Sequence, residues 1–189
     1  MLKLSKMGFA KNILLTGLPG IGKTTLIKKL SEELSSFRPV GFYTEEIRVE
    51  GIRKGFDLIS LNGRRGLLSH VEIESHYRVG KYRVDIKGFE EFLDSIAFFV
   101  PTTSLIIIDE IGKMECLSSK FRRLISEIFD SSKILIATIA FKGGGLIETI
   151  KKRDDIRLFE ITQKNRDSLL SEIVKGINLA NADIAQKFI

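Results

Sequence analysis

Residues 17–24 read Gly-Leu-Pro-Gly-Ile-Gly-Lys-Thr and fit G-x-x-x-x-G-K-[ST] at every fixed position. No other feature constrains the fold as much, because such a loop works only between a buried strand and a helix. Both neighbours are present. Asn12–Thr16 is a short apolar run suited to a buried parallel strand, and Leu26, Ile27, Leu30 and Leu34 then recur at helical spacing. Gly17, Gly20 and Gly22 let the backbone turn so that successive N–H groups point inward at phosphate oxygens. The helix beginning near Lys23 adds its positive N-terminal end. Lys23 supplies a mobile cation for β- and γ-phosphates, and Thr24 a hydroxyl for Mg²⁺. Gly17, Leu18, Pro19, Gly20, Ile21, Gly22, Lys23, Thr24 and Thr25 therefore form the expected nucleotide-binding segment.

The rest of the chain alternates strand and helix patterns, which predicts a three-layer α/β/α fold with a mainly parallel central sheet extended by antiparallel strands. Strands are expected near 12–16, 40–48, 52–61, 65–71, 82–86, 105–108, 134–139 and 157–161. The turn signal Asn62-Gly63 makes 40–71 read as an antiparallel insertion in the parallel core. Helices are expected at 23–35, at 87–99 before Pro101, along the face Leu117–Phe129, at 146–152, and after Thr162 as N-cap. Right-handed crossovers would gather the loops after the parallel strands on one edge, where ligands bind.

One of those loops carries a second signal. Ser104–Ile108 is an apolar strand ending in Asp109-Glu110. Asp109 is placed to hold Mg²⁺ opposite Thr24, directly or through water. Glu110 falls near the γ-phosphate, where it could orient or deprotonate a water. Strand alternation puts Thr44, Glu46 and Arg48 on one face of the second strand, whose end is expected beside the P-loop, as candidate γ-phosphate or second-substrate contacts, and Thr138 ends another core strand as a candidate γ-phosphate sensor. An arginine finger is not identifiable; Arg48, Arg78, Arg83 and Arg166 are the candidates. Phosphoryl transfer needs positioning and charge neutralisation more than covalent chemistry, so without such a cation turnover is expected to be slow.

At 189 residues, the chain is expected to form a single P-loop NTPase domain spanning 1–189, with 1–10 as a lead-in. No apolar run approaches the ~20 residues of a membrane helix, so no membrane partner is expected. Cys116 is the only cysteine, which excludes an internal disulfide, fits a reducing, cytoplasmic compartment, and reads as a packing residue. His70 and His76 flank no zinc pattern. The net charge of +6 is spread along the chain without interleaved aromatics, so a nucleic-acid partner is possible but not favoured.

Taken in order, G-L-P-G-I-G-K-T-T (17–25), G-F-Y-T-E-E-I-R (41–48), G-F-D (55–57), R-V-G-K-Y-R-V-D (78–85), I-I-D-E-I-G-K-M-E (107–115) and T-Q-K-N-R-D (162–167) resemble a known family. It is the small P-loop nucleoside-triphosphatase family that includes the human cancer-related nucleoside-triphosphatase and its archaeal and thermophilic-bacterial relatives. The likeness covers roughly Lys11 to Val174. It implies a RecA-like core extended by antiparallel strands, and Mg²⁺-dependent hydrolysis of nucleoside triphosphates to diphosphates with broad base tolerance. It supports Lys23 and Thr24 in phosphate and metal roles and Glu110 as the water-activating acid. Asn165 and Arg166 match its late motif, at a place suited to base or ribose. The alternative reading is a nucleotide or nucleoside kinase, for which 142–153 would be the lid. A switch-like or nucleic-acid-coupled binding module is the remaining reading.

Overall fold

The computed structural model describes residues 10–186; the proposed lead-in falls, except for Ala10, outside them. Its strands are β1 (Asn12–Thr16), β2 (Val40–Val49), β3 (Ile52–Ser60), β4 (Arg65–His70), β5 (Arg78–Val79), β6 (Tyr82–Val84), β7 (Leu105–Ile111), β8 (Ile134–Ile139) and β9 (Ile156–Glu160). The helices are α1 (Lys23–Glu33), α2 (Ile86–Asp94), α3 (Ser119–Asp130), α4 (Leu146–Lys151) and α5 (Arg166–Gln186). All the strands join one sheet in the order β5-β6-β4-β3-β2-β7-β8-β1-β9.

The half from β2 to β9 is parallel, and β2 through β6 are joined by antiparallel ladders. β2 belongs to both halves. Its start, Val40–Phe42, pairs parallel with β7, and Phe42–Val49 pairs antiparallel with β3. The antiparallel extension also continues past residue 71, through β6 and the two-residue β5, which is too short to leave a periodic signal.

Strand alternation divides the interior into two layers. Ile13, Leu15, Leu105, Ile107 and Ile136 face α1 and α5, where Leu26, Ile27, Leu30, Leu169 and Ile173 meet them. Leu14, Ile106, Ile108, Leu135 and Ala137 face the other side, packed by α2, α3 and α4. This is the expected three-layer α/β/α arrangement. On the second side, Phe42 meets the Phe89 and Phe92 rings edge-on at 6.1 and 5.8 Å, and Phe89 lies 5.4 Å from Phe121. Such pairs contribute about 0.5–1.5 kcal/mol each beyond area burial. They fix β2, and with it the extension, against α2 and α3.

Two helix boundaries differ from expectation. α2 begins with Asp85 accepting from the Gly88 N–H at 3.0 Å, and it ends at Asp94 rather than 99; Ser95 turns its hydroxyl back onto the Phe92 carbonyl. α5 starts at Arg166, so Thr162 is not its cap. The Asn165 side chain folds back instead, accepting from the Thr162 N–H at 2.8 Å and donating to the Glu160 carbonyl at 2.9 Å. Among the described residues no helix is long and apolar enough to cross a membrane.

The junction of the two halves tolerates no side chain at Gly41. A Cβ there would meet the Ile107 carbonyl oxygen at 1.8 Å, and φ is +140°. Gly41→Ala is expected to pry β2 from β7 and lower unfolding stability by more than about 2 kcal/mol in chemical denaturation, the range of a backbone clash in a core.

Candidate active site

The loops after β1, β7 and β8 converge on one edge of the sheet, where the middle of β2 reaches them through Thr44. β1 runs into the P-loop, whose Gly20 and Gly22 adopt φ of +77° and +105°, conformations that side chains with a Cβ rarely take. Gly22 is the cap of α1, which has no acidic residue in its first turn to compete with an anion. Lys23 lies back along the loop, donating to the carbonyls of Gly17 and Leu18 at 3.1 and 3.2 Å. A β- or γ-phosphate would draw the ammonium off these carbonyls. Leu18, at the loop tip, is exposed.

β7 is not a direct neighbour of β1; β8 lies between them. This inserts Thr138 into the site. Asp109 is 1% exposed, and its carboxylate accepts from the Thr24 hydroxyl at 2.7 Å on one oxygen and from the Thr138 hydroxyl at 2.9 Å on the other. Thr44 approaches the first oxygen at 3.5 Å, at the limit of a hydrogen bond. β2 was expected to end beside the P-loop, but it is separated from β1 by two strands and reaches the site through Asp109. Burial raises the Asp109 pKa, opposed by the Thr24 and Thr138 hydroxyls. Among the described residues Asp109 has no ion-pair partner within 4 Å, and no cluster of three or more His, Cys, Asp or Glu forms a metal cage. An oxygen-only set of one carboxylate and one hydroxyl is what Mg²⁺ takes from protein when phosphates and water complete its shell.

Glu110 continues the strand, joined to Asp109 by a cis peptide bond. Its pKa is raised by burial and then by the charge of Asp109, while Lys23 pulls it down. A raised carboxyl suits a group that must accept a proton near neutral pH. It lines a cavity of about 240 Å³ with Thr44, Phe56, Leu68 and Val79 from the sheet and Lys113, Met114, Glu115, Ala140 and Lys142 from the following loops.

Glu115 is the residue that sequence reading passed over. It is 5% exposed, in a 3-10 turn at 115–117. Gly112 sits between it and Glu110: a Cβ there would lie 2.8 Å from a Glu115 carboxyl oxygen and 3.0 Å from a Glu110 oxygen. Burial, then the charges of Glu110 and Asp109, push the Glu115 carboxyl up to about 8, against backbone N–H bonds from its own amide and Gly112. The stretch D-E-I-G-K-M-E carried both residues, but only tertiary folding makes the second acid a neighbour of the first. Beside it, the half-buried Cys116 thiol is pushed up to about 12, mainly by burial, which keeps it an unreactive packing group.

Other candidate residues lie elsewhere. Glu46 pairs with Arg48 at 2.6 Å and with Arg53 at 2.7 Å on the outer part of β2, and Arg48 also donates to the Gly51 carbonyl. Arg78 donates to the Gly80 carbonyl, and Arg83 is exposed on β6. Arg166 lines a cleft of about 350 Å³ with Ile21, Gly22, Thr25 and Lys29, between the starts of α1 and α5. Asn165 does not point into that cleft's lining; its amide holds the 160–165 turn.

Residues 12–174 match the family model described as NTPase. The chain belongs to this NTPase family. Among its relatives, the nucleoside-triphosphatase THEP1 of Thermotoga sp. (strain RQ2) is 52% identical, over 86% of this chain and 92% of its own. The human cancer-related nucleoside-triphosphatase is 42% identical over 87% of this chain and 95% of its own. The crystal structure of THEP1 from Aquifex aeolicus superposes with a TM-score of 0.78 at 39% identity, covering 86% of this chain and 96% of that one. The solution structure of the human protein gives 0.73 at 39% identity, covering 89% and 97%. The family's sequence matches thus span every strand of the site.

The Glu115 shift sets a pH dependence. The unfolded carboxyl ionises near 4.5, whereas the folded one holds its proton to about 8. Below 4.5 the full contribution is present; between 4.5 and 8 unfolding releases a proton, so stability falls as pH rises. In metal-free protein, melting temperature is expected to drop from pH 5.5 to 8.5, and Glu115→Gln is expected to flatten that drop. Differential scanning calorimetry in EDTA measures both.

Proposed function

We propose that this family member is a Mg²⁺-dependent nucleoside-triphosphatase that cleaves the γ-phosphate anhydride to give a diphosphate and inorganic phosphate. The single observation that carries the reading is Asp109, held by the P-loop hydroxyl of Thr24 on one side and by Thr138 on the other, with Glu110 following it. The names of the relatives, nucleoside-triphosphatases throughout, support hydrolysis over phosphoryl transfer to an organic acceptor.

The residues divide the work by charge. The P-loop amides and the start of α1 bind the polyphosphate, and Lys23 moves from the Gly17 and Leu18 carbonyls onto the β- and γ-phosphate oxygens. Thr24 and Asp109 would hold Mg²⁺, which supplies charge neutralisation and phosphate orientation when bound. Glu110 orients a water from the cavity side and takes its proton as the new O–P bond forms. The electron pair of the broken P–O bond leaves on the diphosphate. Thr138 keeps Asp109 facing the P-loop. The cleft beside Thr25, Lys29 and Arg166 receives ribose and base. A kinase lid at 142–153 has little support. Its helix α4 is a short one, and Arg153 is committed to Asp130 and Asp155 at 3.1 and 2.7 Å.

Lys23→Ala is expected to abolish hydrolysis and weaken triphosphate binding. Glu110→Gln is expected to bind normally and lose roughly 10²–10⁴ in kcat, the usual worth of a positioned base. EDTA is expected to stop phosphate release and Mg²⁺ to restore it. Phosphate release from ATP, GTP, CTP and UTP, with no acceptor added, measures all three; diphosphate formed only with an added nucleoside or monophosphate would overturn the hydrolase assignment.

A further inference from the structure

The cavity beside Glu110 holds two cations that the mechanism above leaves unused. Lys113 lies on the loop that leaves β7 just after Asp109-Glu110, and Lys142 on the loop that leaves β8 just after Thr138. Both loops are held in place. The Ala140 N–H donates to the Ile111 carbonyl at 3.1 Å, Lys151 donates to the Phe141 carbonyl at 2.8 Å, and the Cys116 N–H donates to the Gly112 carbonyl at 3.1 Å. Neither the Lys113 nor the Lys142 ammonium has a hydrogen-bond or ion-pair partner among the described residues. Both are exposed residues that line the same cavity as Glu110, Glu115 and Thr44, and that lining includes no arginine among the described residues.

Charge explains why cations belong there. Three carboxyl groups, Asp109, Glu110 and Glu115, already crowd this edge, and the charges of Asp109 and Glu110 raise the proton affinity of their neighbours. The γ-phosphoryl group brings more, spread over its equatorial oxygens as it transfers. None of the arginine candidates lines this cavity: Arg48 pairs with Glu46, Arg78 donates to the Gly80 carbonyl, Arg83 is exposed on β6, and Arg166 lines the cleft beside Gly22 and Thr25. We propose that Lys113 and Lys142 act as catalytic residues in cis, contacting the γ-phosphoryl oxygens during transfer in the place of an arginine finger. The inference rests on the hydrolase reading of the same site. The lysines exchange no proton: the water oxygen forms the new bond to phosphorus, its proton goes to Glu110, and the bridging oxygen leaves with the diphosphate. A lysine on a flexible stem neutralises as a point charge without the bidentate fork of arginine, which fits a slow enzyme.

The test is steady-state hydrolysis by Lys113→Ala, Lys142→Ala and the double variant, beside Lys113→Arg and Lys142→Arg. Affinity for a non-hydrolysable ATP analogue with Mg²⁺ is measured by calorimetry on each. Each alanine variant is expected to lose about tenfold or more in kcat, and the double variant about a hundredfold, less than the ~10³–10⁵ of an arginine finger because a lysine acts as a point charge without the bidentate fork. Analogue affinity is expected to stay within roughly threefold, and the arginine variants to recover turnover. A double variant that hydrolyses at the wild-type rate would overturn the inference, as would a loss confined to analogue affinity. Glu110→Gln and Lys23→Ala run in parallel. If they lose turnover and the double lysine variant does not, only this inference fails; if they too turn over normally, the hydrolase reading fails with it.

Discussion

A single buried carboxylate organises the catalytic edge of this molecule. Asp109 is bonded by Thr24 at the start of α1, by Thr138 at the end of β8, and approached by Thr44 on β2. Those three hydroxyls come from three separate segments of chain, brought together only because β7 lies between β2 and β8. An ionised carboxylate 1% exposed is costly unless its lone pairs are satisfied, so the hydroxyls and the sheet order are required together. The same bonds aim the carboxylate at the P-loop. The demand of the fold for hydrogen-bond satisfaction and the demand of the chemistry for a fixed oxygen donor are met by one arrangement.

A second constraint follows from placing Glu110 next in the chain. Two acids on one strand end repel, and the sequence adds Glu115 close by. Gly112 lets both carboxyl groups approach, because any Cβ there would occupy the space between them. The outcome is an unequal set: burial and the charges of Glu110 and Asp109 push Glu115 up to about 8, while Lys23 pulls Glu110 down. Separation of proton affinities among neighbouring acids by burial and by neighbouring charge is what allows one of them to act as base while another stays neutral.

Much of this was legible before any coordinates. The P-loop, the parallel strands and the Asp109-Glu110 pair each carry a local signature, because a buried parallel strand is a continuous apolar run and its ligand groups sit in the next few residues. The strand order was not legible, since apolar runs do not say which neighbour they choose; hence the expectation that β2 would flank the P-loop. The boundaries of α2 and α5 were set by hydrogen bonds that compete with helix, Ser95 to the Phe92 carbonyl and Asn165 to Thr162, and periodicity does not see these. Glu46 and Arg48 alternated correctly onto one strand face, but they lie too far along β2 and bond to each other and to Arg53.

The residues that escaped notice share a physical character. Glu115, Lys113 and Lys142 lie in irregular loops, where spacing carries no directional information, and each matters only through a neighbour distant in sequence. An acid in a loop looks like any solvated acid until burial is known, and a lysine looks like a surface charge until the absence of a partner and the cavity before it are known. The antiparallel extension supplies the remaining term. Phe56, Leu68 and Val79 line the cavity with Glu110, so that this carboxyl faces a partly apolar wall, while the exposed Lys113 and Lys142 stand where the cavity meets solvent. Electrostatic interactions strengthen as water is excluded. An extension that contributes no P-loop or metal contact of its own can therefore govern rate, by setting the dielectric in which those charges act.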